Sequence, residues 1–313
     1  MAASVIVVGR VSVDLYAREL GASFLETQTF SKSIGGSPTN VAVAAAKLGH
    51  RSTLLTKVGG DPLGTYVVTQ LASWGVDTDH IGVDITGRTP VVIAAMDPPE
   101  EPQVIFHREL NAPDTTLEVA DLPLSDIESC DIFWMSGGTL ARGSTANAAR
   151  VWLSHRARRR HTVLDLDYRP TFWPSRLDAQ RAAQEALAQC TVVVGNQSEC
   201  EMAVGSSDPD AAATALLAYG VGLAIVKMGG DGLLLATPNE RIRINPLRVN
   251  VVCGLGAGDA FGGALIHGLA SNWDLQTIGT YANAAGAYVA SRPTCADSMP
   301  DLAQLHEFVD ANC

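Results

Sequence analysis

From residue 130 onward the chain repeats one alternation, in which a short unbroken apolar run is followed by an alanine-rich amphipathic stretch. The runs are "DIFWMS", "HTVLDLDY", "TVVVGN" and "LAIVKMGG", and between them lie "STANAARVWLSHRARR", "RLDAQRAAQEALAQ" and "DPDAAATALLAYG". A strand with one wet face alternates apolar with polar residues, so continuous β-branched runs indicate strands covered on both faces. Parallel strands need a crossover, and a helix supplies it. The pattern predicts an α/β fold: a doubly wound, mainly parallel sheet wrapped by helices, with right-handed crossovers. The 313 residues, 47% of them hydrophobic, suffice for one large core, and no repeat, low-complexity tract or long linker divides them. One domain is expected over residues 1–313.

The first third reads differently. "VVIAAMD" and "QVIFHRE" flank "PPEEP", the pattern of a hairpin whose prolines and acids keep the turn exposed. A strand-rich segment at about 10–33 can pair with this second segment at about 88–112. Together they predict a small sheet, too thin for its own core, inserted as a lid or as the surface of a homodimer.

Charge and cysteine content remove several functions. The formal net charge is −11, with four Lys against eighteen Arg, so there is no global positive field to attract a nucleic acid. The one basic run, "HRARRRH" at 155–161, follows a helical stretch, where cations complement the helix dipole. Six cysteines at 130, 190, 200, 253, 295 and 313 contain no CxxC pair, and seven histidines show no zinc-like spacing. Neither a disulfide framework nor a metal cage is expected. No stretch approaches the ~18 apolar residues of a membrane span, and "MAASVIVVGR" lacks a charged leader, so a cytoplasmic protein with no membrane partner is expected.

Two glycine-rich helix starts stand out. In "SIGGSPTNVAVAAAKLG", residues 33–49, Ser37 suits an N-cap, Pro38 the first helical position and Gly49 the end of the helix. Gly35 and Gly36 then lie against free backbone N–H groups, and Asn40 adds an amide. Taken alone, the same stretch also fits an ordinary glycine turn before a buried helix. In "GLGAGDAFGGALIHGLAS", residues 254–271, Phe261, Leu265 and Leu269 share one helix face. Gly256 and Gly258 let the amides of residues 256–259 curl around an anion. A carboxylate at Asp259 would repel that anion unless the anion is transferred and the acid faces the incoming hydroxyl. The helix N-terminus predicts a depressed pKa for Asp259 and hence an ionised base. Neither a Walker A loop nor a dinucleotide fingerprint fits, since "VIVVGRVSVD" carries a single glycine, which sets aside a nicotinamide-dependent oxidoreductase.

These two motifs, in this order and separation, resemble the signatures of the ribokinase-like (pfkB) carbohydrate kinase family over essentially the whole chain. The resemblance implies a ribokinase-like α/β domain with a small β-sheet lid, and transfer of the ATP γ-phosphoryl group to a sugar hydroxyl. It makes Asp259 the general base and Gly256, Ala257 and Gly258 the anion hole. Asp14, Gly35, Gly36 and Asn40 correspond to sugar-contacting positions. Asn196 and Glu199 in "NQSE" match the motif that organises Mg²⁺ and phosphates, with Glu199 acting on the metal indirectly. Lys227, Gly229 and Gly232 in "VKMGGDG", with Asn283, fall where the nucleotide binds. ATP and Mg²⁺ are therefore the implied cofactors. Where many members hold a monovalent cation with an Asp and a Thr, this chain has Cys253 and Gly254, so the resemblance gives no ground for potassium activation.

For the acceptor, "LDLDYRPTFW" places Asp165, Asp167 and Arg169 at a strand end, where open α/β sheets bind ligands. Arg169 could grip a carboxylate with two hydrogen bonds, or instead tie the adjacent acids into a structural network. Arg108 in "FHRE", on the expected lid, could reach the same ligand. A sugar acid is favoured over a neutral sugar. "GRVSVDLY", "FHRE", "LDYRPTFW" and "CADSMP" further resemble the inositol-catabolism branch of the family, whose acceptor is 5-dehydro-2-deoxygluconate; the branch acting on 2-dehydro-3-deoxygluconate is the alternative.

Overall fold

The computed structural model describes residues 2–27 and 29–313; residue 28, within the expected 10–33 segment, and residue 1 lie outside the described residues. The strands are β1 Ser4–Val8, β2 Ser12–Ala17, β3 Phe30–Gly35, β4 Arg51–Gly59, β5 Ile81–Asp84, β6 Val91–Ala95 and β7 Gln103–His107. They continue with β8 Ile132–Ser136, β9 Thr162–Asp165, β10 Val192–Asn196, β11 Leu223–Lys227, β12 Leu233–Ala236 and β13 Arg241–Ile244. Nine of them form one sheet in the order β13-β12-β11-β10-β9-β8-β1-β4-β5. From β5 to β11 every neighbour is parallel, and β12 and β13 add an antiparallel edge.

Successive side chains of a strand point to opposite faces, and here both faces are dry. Val5 and Val7 of β1 enter one core with Trp134, Phe261 and Leu265, whereas Ile6 and Val8 enter another with Phe133, Trp152 and Leu187. The helices Ser37–Lys47 and Ala257–Ala270 cover the first face; Gly143–Arg156 and Arg176–Leu187 cover the second. This is the doubly wound sheet that the unbroken apolar runs predict. The basic run turns inward at Arg156, which is fully buried and donates to the backbone carbonyls of Ile127 (2.6 Å), Cys130 (2.8 Å) and Arg160 (3.0 Å). Among the described residues no helix is long and apolar enough to cross a membrane.

A smaller sheet, β3-β2-β6-β7, includes β2, which follows directly from the carboxyl end of β1. β2 pairs antiparallel with β3 and parallel with β6, and β6 and β7 form an antiparallel hairpin. Its Tyr16, Ala94 and Met96 share an apolar cluster with Cys253 and Cys295, which seats it against the glycine-rich start of helix Ala257–Ala270. The hairpin turn exposes Pro98, Glu100 and Glu101 to solvent, but its inner edge is tied down, because the Gly254 N–H donates to the Pro99 carbonyl at 2.8 Å.

Candidate active site

Parallel strands that all end on one edge deliver their last residues to one place. Gly9 and Arg10 follow β1, Asp165 ends β9, Asn196 ends β10 and Lys227 ends β11. Two helices start at the same edge. The chain enters helix Ser37–Lys47 through Gly36 at φ 98°, and a Cβ there would lie 2.5 Å from the Arg10 carbonyl oxygen. This corrects the expected cap. Gly36, not Ser37, is the N-cap, and no side chain caps the helix. The tight turn at Gly36 moves Ser37 into the first helical turn and releases its hydroxyl to hydrogen-bond with Asp259.

Gly256, at φ 80°, is the N-cap of helix Ala257–Ala270, again with no side-chain cap, so its first N–H groups are available to an anion. Gly258 leaves space for the Lys227 ammonium, since a Cβ there would stand 3.2 Å from Nζ. Burial alone would lower the Lys227 pKa, but Asp165, Glu199 and Asp259 outweigh it and hold the ammonium charged. Asn40 Nδ2 donates to Asp259 Oδ2 at 2.7 Å, while Asn40 Oδ1 is buried with no partner among the described residues. An orphaned buried acceptor of this kind is open to a donor from a ligand.

The depressed pKa expected for Asp259 is overturned. Burial pushes the carboxyl above its usual range; the hydrogen bonds from Asn40 and Ser37 oppose this, and Asp167 adds to it. Desolvation of a carboxylate enclosed by the two helix starts outweighs the helix terminus. Two further acids behave oppositely. Asp165 is pushed up to about 8 by burial, against the pull of Lys227. Burial also raises Asp167, but Arg10 and Arg169 outweigh it and hold that carboxylate low.

Asp14, buried on β2, accepts from Ser12 Oγ at 2.7 Å and Tyr16 Oη at 3.0 Å, and burial raises it to about 6. Gly35 pairs with Ser12 across β2 and β3, and the Asp14 carboxylate lies over it so closely that a Cβ at Gly35 would overlap the carboxylate. Asn196 and Glu199 form a reciprocal capping box at the start of helix Gln197–Val204, with 2.9 and 2.7 Å bonds. Gly229 and Gly232 shape the turn between β11 and β12, both at positive φ. Asn283 donates to the Asn245 carbonyl at 2.9 Å and lies one turn before Gly286, where a Cβ would stand 3.1 Å from the Ala257 carbonyl oxygen. The fold thus gathers Asp259, Asn40, Ser37, Lys227 and the 256–258 backbone.

Arg108 and Arg169 divide. Arg108 is committed to Asp114 by two bonds of 2.9 and 2.6 Å and stacks on Phe172 with its guanidinium 5.2 Å from the ring centroid. Arg169 is 42% exposed and reaches Asp167 at 3.4 Å. The stronger partner of Asp167 is Arg10, which grips it with both terminal nitrogens and which sequence reasoning passed over. The signal was present, because Arg10 immediately follows the first strand, at the edge where ligands bind.

The pfkB family carbohydrate kinase profile matches residues 2–302. The chain is 31% identical over 313 residues to 5-dehydro-2-deoxygluconokinase of Geobacillus kaustophilus (strain HTA426), covering 97% of this chain and 93% of the relative. Among solved structures, a fructokinase from Vibrio cholerae O395, bound to fructose, ADP and a calcium ion, superposes with a TM-score of 0.86 at 26% identity, covering 97% of this chain and 98% of that one. A protein assigned as ribokinase II from E. coli, in complex with ATP and Mg²⁺, superposes with a TM-score of 0.89 at 23% identity over 99% of this chain and 100% of that one, a likeness of fold. The full-length family match, together with a buried acid set at a glycine-rich helix start, means that this chain belongs to the pfkB family of carbohydrate kinases.

Proposed function

We propose that the protein transfers the γ-phosphoryl group of ATP to a hydroxyl of 5-dehydro-2-deoxygluconate, a reaction of inositol catabolism, with Asp259 as general base. The observation that carries this reading is the pairing of Asp259 with the uncapped helix start beside it. The Asn40–Asp259 bond of 2.7 Å fixes the carboxylate, and Lys227 stands against Gly258. A buried carboxyl with a raised pKa is a stronger base than a surface acid, which suits it to take the proton of an acceptor hydroxyl. The amides of Gly256, Ala257 and Gly258, with Lys227, gather negative charge on the other side of the reacting oxygen.

The residues present fit a nucleotide and its metal. Bound ATP with Mg²⁺ would supply the phosphoryl group and neutralise charge on its phosphates. Lys227, Asn196 and the turn at Gly229 and Gly232 would hold the nucleotide, with Asn283 on its far side. Glu199, kept in place by its capping box, would act on the metal through water. Asp14, Asn40 and the backbone at Gly35 and Gly36 would orient the acceptor, with Arg169 on the side of its carboxylate and Arg108, already paired with Asp114, bordering it. The small sheet would serve as the lid and as the surface for a second copy.

The acceptor identity rests on the 31% identical relative and on the arginines beside the site. The test is ATP consumption with Mg²⁺ against 5-dehydro-2-deoxygluconate, 2-dehydro-3-deoxygluconate, ribose and fructose. Highest kcat/KM with the first supports the reading, and with the second it moves the assignment to the other keto-deoxy acid. Preference for a neutral sugar overturns the sugar-acid acceptor while leaving the kinase chemistry standing.

A further inference from the structure

Beyond the residues assigned above, a cavity of about 330 Å³ opens between β7 and the turn around Phe172, within the size range of small-ligand sites. It shares Arg108, Gly138, Arg142 and Phe172 with a smaller cavity that continues to Gly9 and Arg10. Arg10, which lines the smaller cavity, stands near enough to Asp259 to feel its charge, and this sets the two cavities beside the buried acid.

Three guanidinium groups surround Phe172, and they are not equivalent. Arg10 and Arg108 stack on its ring at 5.4 and 5.2 Å, and each has both terminal nitrogens committed to a buried carboxylate, Asp167 and Asp114 respectively. Arg142 is held differently. Its Nε donates to the Phe172 carbonyl at 2.8 Å, and among the described residues neither terminal nitrogen has a hydrogen bond or ion pair. A guanidinium anchored through Nε and open along its outer edge presents the geometry that pairs with a carboxylate through two parallel bonds. The acidic group lining the larger cavity is Glu109. A ligand that satisfies both walls carries a carboxylate for Arg142 and hydroxyl donors for Glu109.

From this we infer that Arg142 binds the carboxylate of a polyhydroxy acid and is the specificity-determining residue for the acid end of the acceptor. The inference rests on the sugar-acid reading above and assigns its carboxylate to a residue that reading does not include. The fixed Nε bond keeps the guanidinium oriented before the ligand arrives, which limits the ordering cost of binding.

The test compares wild type with Arg142→Gln and Arg142→Lys. D-gluconate and its uncharged counterpart D-glucitol serve as binding probes in calorimetry, and steady-state kinetics use 5-dehydro-2-deoxygluconate. Wild type should bind gluconate more tightly than glucitol, in competition with the acceptor. Arg142→Gln should weaken gluconate binding and raise KM for the acid by about 10- to 100-fold, the loss of one charge-assisted contact, with the ATP dissociation constant unchanged. Arg142→Lys should lie between the two, which separates lost charge from lost folding. Gluconate binding unaltered in Arg142→Gln, or absent in wild type, overturns the inference. Turnover of the acid with an unchanged KM in Arg142→Gln removes Arg142 alone, whereas wild-type turnover restricted to neutral sugars removes the sugar-acid reading itself.

Discussion

Removing the Asn40 amide should shift the pH at which the enzyme loses activity on acidification. Asn40 Nδ2 donates to Asp259 Oδ2 at 2.7 Å and favours the charged carboxylate, opposing the burial that raises its pKa. A hydrogen bond to a charged group contributes about 1.5–3 kcal/mol. At about 1.4 kcal/mol per pKa unit, losing it should raise the Asp259 pKa by roughly 1–2 units. The base must be deprotonated to accept the hydroxyl proton, so activity falls below its pKa and the acid limb of the profile should move upward. The assay is kcat/KM for Asn40→Ala by ADP release from about pH 5 to about pH 9, since kcat/KM reports the free enzyme. Ser37→Ala removes the second donor to the same carboxylate and should shift the limb in the same direction. The alkaline plateau of Asn40→Ala should also drop if Asn40 orients the acceptor as proposed. An acid limb that stays in place while the whole curve falls would refute the reasoning, leaving Asn40 a binding residue with no hold on the base.

Other perturbations test the surroundings. Gly254→Ala puts a Cβ 2.1 Å from the Glu100 carbonyl oxygen; it should displace the hairpin turn and cost about 1–3 kcal/mol, read by urea unfolding and by faster amide exchange at residues 98–101. Unchanged exchange would contradict that packing. Asp14 is raised from 3.8 to about 6 mainly by burial. The folded state therefore holds a proton that the unfolded chain has lost, and wild-type stability falls as pH rises through that window. Asp14→Asn does not titrate, so its stability relative to wild type should grow across the window by up to about 3 kcal/mol and level off above it. A pH-independent difference in thermal melts would rule this out.

What could be read in advance follows from the range of the interactions involved. The doubly wound sheet was legible because dry strands leave a local mark, and Val5, Ile6, Val7 and Val8 carry it whichever helices cover them. The glycine pairs and Asp259 were legible for the same reason, as features of short stretches around helix starts. The Gly36 cap was not, because it depends on the carbonyl of Arg10, placed there by a different strand. The raised pKa of Asp259 was missed because the helix terminus is local, while the burial that raises the carboxyl, against the hydrogen bonds from Asn40 and Ser37, arises only in the tertiary structure. Arg10 with Asp167 and Arg108 with Asp114 are pairings of the tertiary structure, and they change which arginines remain for a ligand.

The central claim is that Asp259 removes the proton from the acceptor hydroxyl as the phosphoryl group is transferred. Its most direct test is single-turnover phosphoryl transfer by Asp259→Asn alongside nucleotide binding. The account predicts a fall of about 10²- to 10⁴-fold in the transfer rate with ATP binding largely retained. Transfer at the wild-type rate would contradict it and remove Asp259 as the base.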